Sequence, residues 1–84
     1  MFSLKVTIYL LDENSEVDYR VSGIKDSYDA SQTLLTIVTR VAPYLNQDEI
    51  LKLQAAVHQI STGTRMGKYT LSRRVNLKVA VRKE

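Results

Sequence analysis

The chain has 84 residues, of which 44% are hydrophobic and 25% are charged, and it contains no cysteine. These proportions are those of one small globular domain, and the lack of cysteine excludes disulfides, thiolate metal sites and thiol nucleophiles. No apolar run approaches the roughly 20 residues that a membrane-spanning helix needs, so we expect a cytoplasmic protein with no membrane partner. A chain this short buries only about 60–65% of its unfolded surface, so a partner subunit would help to stabilise it.

The net charge of +3 is unevenly distributed along the chain. Residues 1–61 hold five Lys or Arg against eight Asp or Glu, which gives −3, whereas residues 62–84 hold seven Lys or Arg against one Glu, which gives +6. A basic segment of this kind indicates an anionic partner.

Two alternating segments, residues 2–11 and 16–22, predict a β-hairpin. Each has apolar residues at every second position, the pattern of a strand with one buried face. The turn-forming residues 12–15 separate them. With these four residues as the loop, Ile8 lies opposite Tyr19 and the two apolar faces coincide.

Two helices are predicted to follow, at residues 28–42 and 47–61. The first has apolar residues three or four positions apart, and Pro43 disfavours helical geometry at the residue before it. Asn46 and Glu49 form a capping-box pattern at the start of the second helix. The buried stripe of that helix is predicted to consist of Ile50, Leu53, Val57 and Ile60.

Residues 69–82 form the most regular alternation in the chain. The odd positions are apolar except for Arg73, and the even positions are polar except for one alanine. This pattern predicts one long strand of about 46 Å. A second hairpin turning near Arg73 and Arg74 is disfavoured, because it would pair Ser72 with Val75 and because the segment has no Gly, Pro or Asp for the turn.

These elements predict an α+β fold of order ββααβ, a two-layer sandwich with a three-stranded sheet in order 1-2-3 and both helices on one face. The third strand would expose one edge, which invites strand-to-strand pairing in a homodimer. Acidic residues of the second strand, Glu16 and Asp18, would pair with Arg74 or Lys78. The residues assigned to the dimer edge are Leu71, Arg73, Val75 and Leu77.

Basic residues of the C-terminal segment are the candidate binding site, on a sheet face that also carries Lys5, Arg20 and Tyr9. Such residues contact phosphates of nucleic acids, and an exposed tyrosine can stack a base. The alternatives are that the charges are solvated or paired within the chain, or that they face an acidic or other protein. The residues predicted to contact phosphate are Arg65, Lys68, Arg74, Lys78 and Arg82.

The predicted function is therefore that of a small non-enzymatic interaction module, a dimer associated with nucleic acid. The alternative is a protein-binding adaptor or inhibitor that uses the edge strand or the helical face. His58 is the only histidine, and the glycine loop from Gly63 to Lys68 follows a helix, whereas phosphate-binding loops follow a strand. No cofactor, metal ion or small-molecule substrate is expected.

Overall fold

The computed structural model describes residues 1–84. Both helices pack on one face of a single antiparallel sheet whose strand order is β2-β1-β4-β3. The α+β class predicted from the sequence is confirmed. The elements, in chain order, are β1 (Phe2–Leu10), a 3-10 turn (Leu11–Glu13), β2 (Ser15–Ile24), α1 (Ser27–Val41), α2 (Gln47–Ser61), β3 (Met66–Thr70) and β4 (Val75–Lys83).

The predicted three-stranded sheet is wrong, because the C-terminal alternation belongs to two strands. β3 ends at Thr70, and the amides of Leu71 and Ser72 both donate to the carbonyl of Val75, at 3.0 and 3.3 Å, which closes a turn. The Ser72 hydroxyl accepts a hydrogen bond from the Arg74 amide at 3.2 Å. Serine thus supplies the local hydrogen bond that Asn or Asp commonly supplies in turns.

The order 1-2-3 is also wrong, because β4 pairs with β1 and lies between β1 and β3. Both edges of β4 are therefore occupied. The predicted dimer edge is not a free edge: Leu71, Val75 and Leu77 are buried in the core, and Arg73 lies exposed in the turn between β3 and β4. The free edges belong to β2 and β3.

The first hairpin forms with a register two residues from the predicted one. Ile8 lies opposite Val17, and Val6 lies opposite Tyr19. The loop begins one residue early, because Leu11 starts the 3-10 turn and Asn14 adopts a left-handed conformation with φ of 49°. An even shift leaves every side chain on its predicted face.

The helices cover the apolar face of the sheet, with α1 over β1 and β2 and α2 against β3. The capping box of α2 is present: the Asn46 side chain accepts from the Glu49 amide and the Glu49 carboxylate accepts from the Asn46 amide, each at 2.9 Å. The core contains 16 residues: Leu4, Val6, Ile8, Leu10, Ile24, Ala30, Leu34, Ile37, Val38, Leu53, Ile60, Leu71, Val75, Leu77, Val79 and Val81.

The buried stripe of α2 differs from the predicted one. Ile50 is 41% exposed, and Val57 is only partly buried. The stripe observed consists of Glu49, Leu53, Ala56 and Ile60. The helix turns the Glu49 carboxylate inward, where it meets Arg74. Neither 15-residue helix is long and apolar enough to cross a membrane.

Candidate nucleic-acid interface on the open sheet face

The sheet face turned away from the helices, here called the open face, is polar. Its side chains stand in rows that cross all four strands. One row contains Asp18 of β2, Thr7 of β1, Lys78 of β4 and Lys68 of β3. Because the strands are about 4.8 Å apart, side chains that are distant in the sequence become neighbours in each row.

The charge of the open face is mainly positive. Its two acidic residues, Glu16 and Asp18, both lie on the edge strand β2. Its five cations lie on all four strands and are exposed to solvent: Lys5, Arg20, Lys68, Lys78 and Arg82. The face therefore presents a band of positive charge to solvent.

The cations of the open face form no ion pair within the chain. Lys5 stands directly opposite Arg20, and Lys68 stands directly opposite Lys78. Directly opposed like charges destabilise a sheet. The one ion pair in the structure, between Arg74 and Glu49, lies elsewhere.

The predicted pairing of the acidic strand with the basic strand is wrong. β1 lies between β2 and β4, so Glu16 and Asp18 are not cross-strand neighbours of Lys78. Asp18 instead accepts a hydrogen bond of 2.7 Å from the hydroxyl of Thr7 on β1. Intramolecular pairing with β2 therefore does not account for the charge of β4.

Two adjoining grooves run over the open face. One, of about 280 Å³, is lined by Lys5 and Arg82 and also by the acidic Glu16 and Asp18. The other, of about 300 Å³, is lined by Lys68 and Asn76. Lys78 and Tyr9 line both. Tyr9 stands between Glu16 and Asn76 in its own row, and the adjacent row holds Lys78 and Lys68. Single-stranded nucleic acids stack their bases on aromatic rings that lie beside such cations.

Asn76 gives the face a second polar feature besides its charge. It stands between Tyr9 of β1 and Thr70 of β3 in one row. Its side-chain oxygen is buried and has no hydrogen-bond partner within the chain. A buried acceptor without a partner is costly.

Three of the five residues predicted to contact phosphate lie on the open face, namely Lys68, Lys78 and Arg82. Arg65 does not, because it precedes β3 and its guanidinium lies over the Phe2 ring, 4.3 Å from the centroid. Arg74 does not either, because it is held by Glu49. Lys5 and Arg20 complete the set from the first hairpin, as their alternation predicted.

Arg74 belongs to a polar cluster between the β3–β4 turn and the start of α2, here called the Glu49 corner. Its Nη2 and Nε donate to the two carboxylate oxygens of Glu49 at 2.7 and 2.9 Å. The Ser72 hydroxyl donates to the same carboxylate. Arg74 also donates to the Tyr44 carbonyl at 3.3 Å and lies over the Tyr44 ring, 5.2 Å from its centroid.

Electrostatics in the Glu49 corner favour the charged forms of both partners. The Glu49 side chain is fully buried and that of Arg74 is 32% exposed. Hydrogen bonds from Arg74, with smaller contributions from Ser72 and the Asn46 amide, lower the pKa of Glu49 from 4.5 to about 2 against the opposing effect of burial. The pKa of Arg74 is raised, mainly by its hydrogen bonds to Glu49. Arg74 is therefore a structural residue.

No group of three or more His, Cys, Asp or Glu side chains is placed to hold a metal ion. Comparison with known proteins found no protein-family model, characterised protein or solved structure that matches the chain. The functional assignment consequently depends on the geometry and charge of the open face.

Proposed function

We propose that the chain is a non-enzymatic module that binds nucleic acid, preferentially single-stranded, on its open face. The observation that carries the proposal is the band of exposed cations with no acidic partner within the chain. Contacts to phosphates supply most of the affinity of proteins that bind nucleic acid without sequence preference. The cytoplasmic location expected from the composition stays a prediction.

The spacing of the cations favours a polymer over a single phosphate. Lys78 and Arg82 are four residues apart on β4, about 13 Å at 3.3 Å per residue. Lys68 stands beside Lys78 on the next strand, and Lys5 lies on the opposite side of β4. A band of this length would contact several phosphates of one strand, with Tyr9 in the row beyond Lys78, at one end of the band, for stacking.

The direct test is a titration of fluorescently labelled single-stranded DNA, single-stranded RNA and duplex DNA at low salt. We expect binding to the single strands that weakens steeply as salt increases. In the triple variant Lys5→Gln, Lys78→Gln and Arg82→Gln, affinity for single strands should fall by at least about tenfold, because each neutralised cation removes one phosphate contact.

A matched control removes the same charge from elsewhere. Lys25, Arg40 and Lys52 are exposed cations outside the open face, and their triple replacement by Gln should leave affinity nearly unchanged. Absence of binding to all three nucleic acids, or equal losses in the two triple variants, would contradict the proposal. Circular dichroism of each variant confirms that it is folded.

The alternative is a protein-binding adaptor or inhibitor that uses the helical face. A groove of about 230 Å³ between α1 and α2 favours it, because Tyr28 at its margin is 66% exposed and partly buried Leu35 and Val57 line it. A host protein captured after nuclease digestion and in high salt, and lost in Tyr28→Ala, would support this alternative over nucleic-acid binding.

A further inference from the structure

β2 is the longer of the two free edges of the sheet. It has ten residues, Ser15–Ile24, whereas the other edge, β3, has five, Met66–Thr70. A long edge exposes unpaired backbone amides and carbonyls, which can pair with a strand of another molecule.

Hydrogen bonds at the ends of β1 show which residues of β2 point outward. The Leu11 amide donates to the Arg74 carbonyl at 2.8 Å, and the Met1 carbonyl accepts from the Glu84 amide at 3.0 Å. Because alternate residues of an antiparallel strand bond to opposite neighbours, the odd-numbered residues of β1 bond to β4 and the even-numbered ones to β2.

The register of the hairpin carries this alternation to β2. Ile8 of β1 lies opposite Val17, and Val6 lies opposite Tyr19. The odd-numbered residues of β2 therefore bond to β1, and the backbone groups of Asp18 and Arg20 point to the free edge, as do those of Glu16.

We propose that β2 pairs antiparallel with β2 of a second copy of the chain, with Tyr19 on the two-fold axis. In this register each Asp18 lies opposite Arg20 of the second copy. The two central pairs contribute about four backbone hydrogen bonds. Thr7 occupies only Oδ1 of Asp18, so Oδ2 is available to the arginine. A self-complementary contact of this kind is the commonest oligomeric interface.

Side chains on the helical face of β2 complete the match. Tyr19, which is 42% exposed, meets its own copy on the axis, and Val17 meets Val21 of the second copy on either side. Both valines are only partly buried in the single chain. The pairing therefore covers apolar area on one face of the sheet and neutralises charge on the other.

The two neighbouring registers of β2 and the Lys68-centred pairing of β3 place like charges together. With the axis at Asp18, the two Asp18 side chains lie opposite each other. With the axis at Arg20, the two Arg20 side chains do. A β3 pair centred on Lys68 opposes two lysines that already face Lys78. Charges that clash in self-pairing are a means of keeping an edge monomeric, and the Tyr19-centred pairing of β2 lacks such a clash.

The pairing has a consequence for the open face. Because the two-fold axis is perpendicular to the sheet, both open faces lie on the same side of one eight-stranded sheet. Asp18 of the second copy also relieves the opposition of Arg20 to Lys5. The remaining cations of the two copies then lie on one side of that sheet, to the left and right of the central β2 strands that carry Glu16 and Asp18.

Charge-swap variants test the pairing, and sedimentation equilibrium measures it. The single variants Asp18→Arg and Arg20→Asp each place like charges opposite one another, so each should be monomeric where the native chain is dimeric. Mixed in equal amounts, the two variants should form a heterodimer, because every Arg then faces an Asp. The double variant Asp18→Arg with Arg20→Asp should recover the homodimer.

The controls separate pairing from folding and from net charge. Circular dichroism reports folding of each single variant, and recovery on mixing requires that both are folded. Lys52→Asp, on the exposed side of α2, makes the same charge change as Arg20→Asp and should leave the dimer intact. A native chain that stays monomeric up to about 1 mM, or folded single variants that dimerise like the native chain, would overturn the proposal.

Discussion

The Glu49 corner and the open face use basic residues in opposite ways. In the corner, the Arg74 guanidinium binds both oxygens of a buried carboxylate. On the open face, Lys68 stands opposite Lys78 and neither has an acidic partner within the chain. A cation that neutralises a buried acid stabilises the fold, whereas opposed cations on the surface destabilise it unless an external anion binds.

The difference between the two regions arises from burial. The Glu49 side chain is inaccessible to solvent, and a buried carboxylate without a partner would be strongly destabilising. Water solvates the cations of the open face, so the fold tolerates them without a partner. The positive charge of the C-terminal segment therefore includes a structural cation, Arg74, as well as the open-face cations Lys68, Lys78 and Arg82, which are available for binding.

Removal of the buried carboxylate should have the largest effect on the free energy of unfolding. Glu49→Ala leaves the Ser72 hydroxyl and the Asn46 amide without their acceptor and should lower the free energy of unfolding by about 2–4 kcal/mol. Denaturant titration measures this change. Asp48→Ala, an exposed neighbour in the same first turn, is the control and should have a much smaller effect. Equal losses in the free energy of unfolding for Glu49→Ala and Asp48→Ala would contradict the stabilising role of the Glu49 corner.

Acid should weaken the same corner. The pKa of Glu49 is about 2 in the folded chain against an ordinary value of 4.5, so the unfolded chain binds a proton more readily. The contribution of Glu49 to stability is fully present above about pH 4.5 and is lost as the pH falls towards 2. The free energy of unfolding, measured at a series of pH values, should show this decline. The free energy of unfolding of Glu49→Gln should change less with pH over the same range. A variant that declines as steeply as the native chain would contradict this assignment.

Removing a cation from the open face should change the free energy of unfolding by a smaller amount and in the opposite direction. Lys68→Gln removes the opposition to Lys78 and should raise the free energy of unfolding by about 0.2–1 kcal/mol, while weakening the binding of single-stranded nucleic acid. Lys52→Gln, an exposed cation of α2, should change neither. Thermal unfolding and a binding titration measure the two quantities. A less stable Lys68→Gln with unchanged affinity would mean that the lysine has a structural role.

Alternation and capping in the sequence were sufficient to predict much of the fold. They identified the α+β class, the faces of the first hairpin and the capping box of α2. They could not identify the turn at residues 71–74, because the alternation continues through it and no Gly, Pro or Asp marks it. The turn is held in part by Glu49, which is 23 residues from Ser72 in the sequence, and local patterns contain no information on that contact.

The candidate site was predictable only in part, because alternation assigns side chains to a face but does not reveal a turn. Alternation placed Lys68, Lys78 and Arg82 on the polar face, and the structure brings them together with Lys5. Alternation also assigned Arg74 to the polar face, because Arg74 is an even-numbered position. An odd-even pattern does not reveal that the residue lies in a turn. The free edge was assigned to the wrong strand because β4 pairs with β1 instead of β2.

The salt dependence of binding to single-stranded DNA distinguishes the two kinds of cation most directly. We expect Lys78→Gln to reduce the slope of log affinity against log salt by about 0.7, the value for one phosphate contact. Arg74→Gln, measured at a temperature at which it is folded, should leave the slope of the native chain unchanged. A native slope near zero, or an equal reduction by Arg74→Gln, would contradict the assignment of the open face as the nucleic-acid interface.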